Sequence, residues 1–228
     1  MLRLLPLAAF LLTGPAVGQV GPDVPPEIEA RMLAFYEAHP DCMAELMALQ
    51  TPSEAANPAL RDELLALVEA DQAERFEAIE AAGSLEGVPD SVRDALARRD
   101  SARTDRLREI VAEHGWPRAA LVGTDGVAAA FLVLQHSPDR VLMAVLLPEI
   151  ERAYEAGEIA GQSVALLTDR VRLAAGLPQR YGTQMDVVDG EAVLRPTEPG
   201  DLDARRAAMC MVPLDVYTDL QRVMYGVD

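Results

Sequence analysis

From Leu60 to Ala82 the apolar residues recur on a helical period, with Leu64, Leu67, Val68, Phe76 and Ile79 along one side. This spacing predicts a long amphipathic helix. A second is predicted to start at Asp90 or Ser91, either of which can cap it, and to run to about His114, with Val92, Leu96, Leu107, Ile110 and Val111 apolar. Its end reads "HGWP": Gly115 supports a left-handed stop, Trp116 can fold back on the last turn, and Pro117 forbids continuation. The same stop recurs at Gly176-Leu177-Pro178. "GVAAAFLVLQH", Gly126 to His136, is apolar all round and too short to cross a bilayer, which predicts a central buried helix. Two more helices are predicted from Asp139 to about Ala156 and from Ile159 to Ala175. Asp189-Gly190 then sits between two β-prone runs and predicts a hairpin at about 183–196. A last helix is expected from about Leu202 to Tyr225, bent near Pro213. Ahead of all these, 24–50 predicts one or two short helices broken near His39-Pro40, and "TPSEAANP" reads as a linker. The expected fold class is mainly α: a single-domain helical bundle with one small β-hairpin near the C-terminal third, comprising an N-terminal helical segment and linker (19–58) and a helical domain (59–228).

The opening "MLRLLPLAAFLLTGPAVGQV" is predicted to be a cleaved export signal, residues 1–18. Arg3 is its positive start, Leu4 to Leu12 its apolar run, and Ala16-Val17-Gly18 the small residues before the cut. The expected destination is the periplasm or the extracellular space, with no membrane insertion after signal removal. Half of the 228 residues are hydrophobic, enough for a full core. The net charge of −17 repels phosphate backbones, so nucleic acid is not an expected partner. Every basic residue is Arg, which removes Schiff-base lysines and the phosphate-loop Lys. No GxSxG, HExxH or CxxC occurs, no metal set is expected, and no motif names a cofactor. The two cysteines, Cys42 and Cys210, either pair in an oxidising compartment or remain buried thiols.

The informative residues are polar ones that interrupt apolar stripes. Asp71, Gln72 and Arg75 continue the buried line of Leu64 and Val68, with Asp71 and Arg75 one turn apart. Arg99 and Arg103 lie on the inward line of the second long helix. Gln135 and His136 end the all-apolar helix, and Asp169 and Arg170 face apolar turns of theirs. One loop then brings Gln179, Tyr181, Thr183 and Gln184. A shared polar cavity within the bundle would explain this convergence.

The succession "DQAER", "HGWP", "LQH", "LLTDRV", "QRYGTQ" resembles a bacterial family known as domain of unknown function 6624, over about Leu60 to Leu220. The resemblance implies that the residues just named other than Arg99 and Arg103, with Gly115, Trp116, Pro117 and Gly182, belong to the family pattern; it implies no reaction. Where the family carries an Asn-Thr pair after an Asp on the second long helix, this chain has Asp100, Arg103 and Thr104.

Two functional readings follow. In the first, the protein is an exported small-molecule enzyme or binder. His136 is general acid or base, Asp169 or Asp71 orients it, and Arg75 and Arg170 hold an anionic group. Asp71, Gln72, Gln135, Gln179, Tyr181, Thr183 and Gln184 then complete the ligand site. In the second, the protein is a non-catalytic envelope structural or interaction module whose polar residues form an internal packing network.

Overall fold

The computed structural model describes residues 24–227; the expected export signal lies outside them. The described chain is mainly α. Its elements are α1 (Pro26–Ala38), α2 (Pro40–Leu49), α3 (Pro58–Ala82), α4 (Asp90–His114), α5 (Ala119–His136), α6 (Arg140–Glu155), α7 (Gly161–Ala174), β1 (Met185–Val188), β2 (Glu191–Leu194), α8 (Leu202–Ala207) and α9 (Leu214–Tyr225).

Helix α5 is the axle of the bundle. It packs on α3, α4 and α7, while α6 packs on α7. The main core gathers Leu64 and Val68 from α3, Leu107 and Ile110 from α4, the apolar run of α5, and Met143, Ile150, Val164 and Leu167 from α6 and α7. By length and composition α5 would reach across a bilayer, but its apolar faces are mostly covered by its neighbours. The helix also begins earlier than its apolar run predicts. A turn from Ala119 leads into Gly123, whose φ of 74° breaks the geometry, and a Cβ there would meet the Ser53 carbonyl oxygen at 2.8 Å. Beside the break, Arg61 Nε donates to both oxygens of Asp125 at 2.9 and 3.1 Å, a pair that the apolar pattern did not announce.

The helix ends follow local chemistry. Asn57 accepts from the Leu60 N–H at 3.1 Å, with Pro58 in the first turn of α3. Asp139 accepts from both Val141 and Leu142 N–H at 2.9 Å. The expected cap of α4 is corrected. Pro89 takes that position with no side-chain bond, and Asp90 lies in the first turn, where its charge still faces the positive helix end. Gly115 and Gly176 both end helices at positive φ, 72° and 73°, and Trp116 packs into the main core. The expected long last helix is two. Cys210 at φ 54° and the Met211 N–H to Arg206 carbonyl bond at 3.0 Å close α8, and α9 restarts behind Pro213. The hairpin has the expected turn: Asp189 (φ 54°) and Gly190 (φ 83°) join β1 to β2, with Met185 opposite Leu194.

A smaller second core lies to one side. Ile28, Met32, Phe35 and Tyr36 of α1 meet Val216, Tyr217 and Leu220 of α9. There Cys42 and Cys210 are joined in a disulfide, 168 residues apart in sequence.

Candidate functional site

Asp71 is the hub of the first polar cluster. The fourth turn of α3 carries it inward at the level where α4 and the C-terminal end of α5 converge, and it is 2% exposed. One carboxylate oxygen meets His136 Nδ1 at 2.7 Å and accepts from Gln72 Nε2 at 2.8 Å. The other accepts from Arg75 Nε at 3.0 Å and Arg103 Nη1 at 3.4 Å. Arg75 also grips Asp100 through Nη2, at 2.8 and 2.7 Å, and Arg103 reaches Glu74 at 2.7 Å. Arg103 therefore belongs to the inward network. Arg99, expected on the same line, keeps 55% of its side chain exposed and only approaches Glu74 at 3.6 Å.

The electrostatics separate the two aspartates. Burial by itself raises the Asp71 carboxyl, but the hydrogen bond and charge of His136, the charge of Arg75 and the Gln72 amide more than offset it, and its pKa falls well below the ordinary range. Asp100 moves the other way. Burial raises its pKa and the Asp71 charge adds to that, against the pull of Arg75. One carboxylate is thus firmly ionised beside an imidazole whose side chain is still 19% exposed. Asp71 holds one ring nitrogen of His136, which leaves Nε2 to give or take a proton.

Asp169 belongs to a different assembly and does not orient His136. It is fully buried and accepts from the backbone N–H of Arg180 (2.6 Å), Tyr181 (3.0 Å) and Thr183 (3.0 Å), and from the Thr183 hydroxyl (2.9 Å). Arg206, also fully buried, holds the same loop through its carbonyls. It donates to Tyr181 O at 2.7 Å and Gly182 O at 3.4 Å, and lies 4.6 Å over the Tyr217 ring. The loop is clamped between a buried anion on its N–H side and a buried cation on its C=O side. Gln179 completes the clamp, donating to the carbonyls of Gln184 (3.0 Å) and Arg195 (2.8 Å) and accepting from Gln184 N–H at 2.9 Å. The unusual polar content of this loop is therefore largely spent on its own shape. Arg206 escaped sequence reasoning because it sits in a short, highly charged helix with no apolar stripe to interrupt.

Gln135, Arg170, Thr183 and Gln184 come together around a third feature, a cavity of about 130 Å³ that also touches Gln162, Tyr217, Gln221 and Tyr225. Arg170 donates to the Gln135 carbonyl, so this cavity and His136 are joined through one peptide unit. Burial, helped by the Arg140 charge, pushes the Arg170 guanidinium down to about 10. Among the described residues no group of three or more His, Cys, Asp or Glu side chains is arranged to hold a metal ion.

The family model described as a family of unknown function, DUF6624, matches residues 58–228. The chain belongs to the DUF6624 family. No curated protein and no solved structure matches it. The DUF6624 match begins at Pro58, the first residue of α3, so the Asp71 cluster, the clamped loop and the Arg170 cavity all lie inside the family unit. Helices α1 and α2 lie outside it and are tied on by the disulfide.

Proposed function

We propose that this DUF6624 protein is exported to the periplasm or the extracellular space, where it binds a small molecule in its polar cavity and acts on it with His136 as general acid or base. Hydrolysis and proton transfer are the reaction types that such a group serves. The observation that carries this reading is the 2.7 Å contact between His136 Nδ1 and an Asp71 kept ionised by three further donors. A carboxylate fixed in this way orients the ring and stabilises the imidazolium formed when Nε2 takes a proton. Asp71 is thereby the positioning residue in place of Asp169. Arg75 spends its donors on Asp71 and Asp100, so Arg170 is the cation left for an anionic group.

The second reading, a packing network in an envelope scaffold, draws on a specific observation as well: Arg75, Arg103, Asp71, Asp100 and Glu74 satisfy one another internally. His136→Ala separates the two. As an acid/base group it is expected to cost about 100-fold or more in turnover of whichever substrate an unbiased metabolite screen finds, with stability held within about 1 kcal/mol. As a network member it is expected to cost several kcal/mol in denaturant unfolding, with no ligand-dependent signal to lose.

A further inference from the structure

Arg170, which is half-buried, differs from the other arginines that face inward. Arg75 and Arg103 are paired with carboxylates, and Arg206 is held by three backbone carbonyls with only its Nη2 left without a partner. Among the described residues Arg170 makes one hydrogen bond, to the Gln135 carbonyl, and its Nε is without a partner. Among the described residues no salt bridge reaches it. A guanidinium offers five donors in a planar fork, and removing it from water without an anion is costly. The walls around it are neutral and hydrogen-bonding: Gln135, Thr183, Gln184, Tyr217 and Tyr225, with no Asp or Glu lining it among the described residues. A cationic fork with spare donors in an acid-free polar chamber matches a carboxylate.

A second cavity, of about 100 Å³, adjoins the first, since Gln135, Gln162 and Leu166 line both. Its character is the reverse. Leu46, Leu49, Phe131, Leu132, Ile159 and Met209 form its walls. Its two acids are both engaged, Glu45 by the Gly161 N–H at 3.1 Å and Glu158 by Arg118 at 2.5 Å. One side of this chamber comes from α2, outside the family match, and the Cys42–Cys210 bridge sits in its wall.

We infer that the two chambers form one site for a small amphipathic monocarboxylate, whose carboxylate lies on Arg170 and whose hydrocarbon chain lies in the Phe131–Leu132 chamber. This deepens the preceding reading by naming the ligand class, and it stands on different residues from the His136–Asp71 pair. The polar chamber sets the head group. The apolar chamber sets the length, because a chain that outgrows it must leave hydrocarbon in water.

Calorimetric titration of the mature chain with straight-chain carboxylates from acetate to decanoate, and with the matching primary alcohols, tests the assignment. Affinity is expected to rise by about fourfold per added methylene until the chamber is full, then level off. Each alcohol is expected to bind at least about tenfold more weakly than its carboxylate. Arg170→Gln is expected to erase that preference, and Ala128→Phe, which fills the apolar chamber, to weaken long carboxylates while sparing short ones. No carboxylate binding, equal binding of acids and alcohols, or an affinity indifferent to chain length overturns the inference. The alcohol comparison needs only the wild-type protein, so a variant that fails to fold does not blunt the test. Saturable carboxylate binding with no His136-dependent chemistry would sink the acid/base reading alone, and His136-dependent turnover without carboxylate binding would sink this one alone.

Discussion

Asp71 carries most of what one residue decides here. It accepts from a histidine, an amide and two arginines, and it is ionised although almost wholly buried. Its carboxyl is stabilised as the anion in the fold, so its pKa lies below the unfolded value of about 3.9. The contribution it makes is present above that value and is lost as pH falls through the lower, folded one. Asp100, with its pKa raised, has the opposite sign: protonation on acidification relieves a strain that the folded state carries at neutral pH. Asp71→Asn is therefore expected to destabilise the protein by about 3 kcal/mol at pH 7, more than Asp100→Asn does, with the difference narrowing towards pH 3. Urea unfolding of both variants and the wild type at pH 7, 5 and 3 checks the sign; equal costs at every pH would refute it.

At the scale of an element, the 179–184 loop behaves as a built part rather than a connection. Its N–H groups converge on Asp169 and its carbonyls on Arg206, while the Tyr217 hydroxyl donates to the Thr183 carbonyl at 2.9 Å. Burial pushes the Tyr217 hydroxyl up to about 12, so it remains a donor through the neutral range. Replacing Asp169 by Ala leaves three backbone donors and the Thr183 hydroxyl without their acceptor. A loss of about 3–5 kcal/mol is expected. Hydrogen exchange should rise first at Tyr181 and Thr183; exchange that rises evenly over the molecule would mean that the clamp is not local. The same clamp holds Thr183 and Gln184 at the Arg170 cavity, so its loosening should also weaken any ligand held there.

At the scale of the whole molecule, two cores share one chain, and the disulfide spans them in sequence. Cys42 lies in α2, before the family unit, and Cys210 lies at the break between α8 and α9. Closing a loop of 168 residues removes unfolded-state entropy equivalent to about 5 kcal/mol on the chain-entropy model. Removing the bridge with a Cys42→Ser, Cys210→Ser double variant is expected to cost a large part of that. Its first effect should fall on the small core of α1 and α9. Denaturant unfolding with a fluorescence probe at Trp116 in the main core and a circular dichroism signal for total helix would then separate into two transitions; coincident transitions would show that the cores unfold as one.

Much of this was legible in the chain. The helix period placed α3 to α7, Gly115 and Gly176 marked their stops, and Asp189-Gly190 marked the hairpin, because these features depend on neighbours within a few residues. Polar residues on apolar stripes were equally plain: Asp71, His136, Asp169 and Arg170 are all turned inward. Their partners were not. Whether Asp71 or Asp169 meets His136, whether Arg75 is free or paired, and whether Arg206 is buried depend on which helices lie side by side, and nothing in a single stripe encodes its neighbour across the bundle. The sequence by itself thus determined that α3 to α7 and the hairpin form, where Gly115 and Gly176 stop their helices, and that Asp71, His136, Asp169 and Arg170 face inward. Only the tertiary structure decided how those charges pair, because pairing between buried groups is settled by packing across distant segments, and among the described residues that packing left Arg170 on a single carbonyl with no carboxylate.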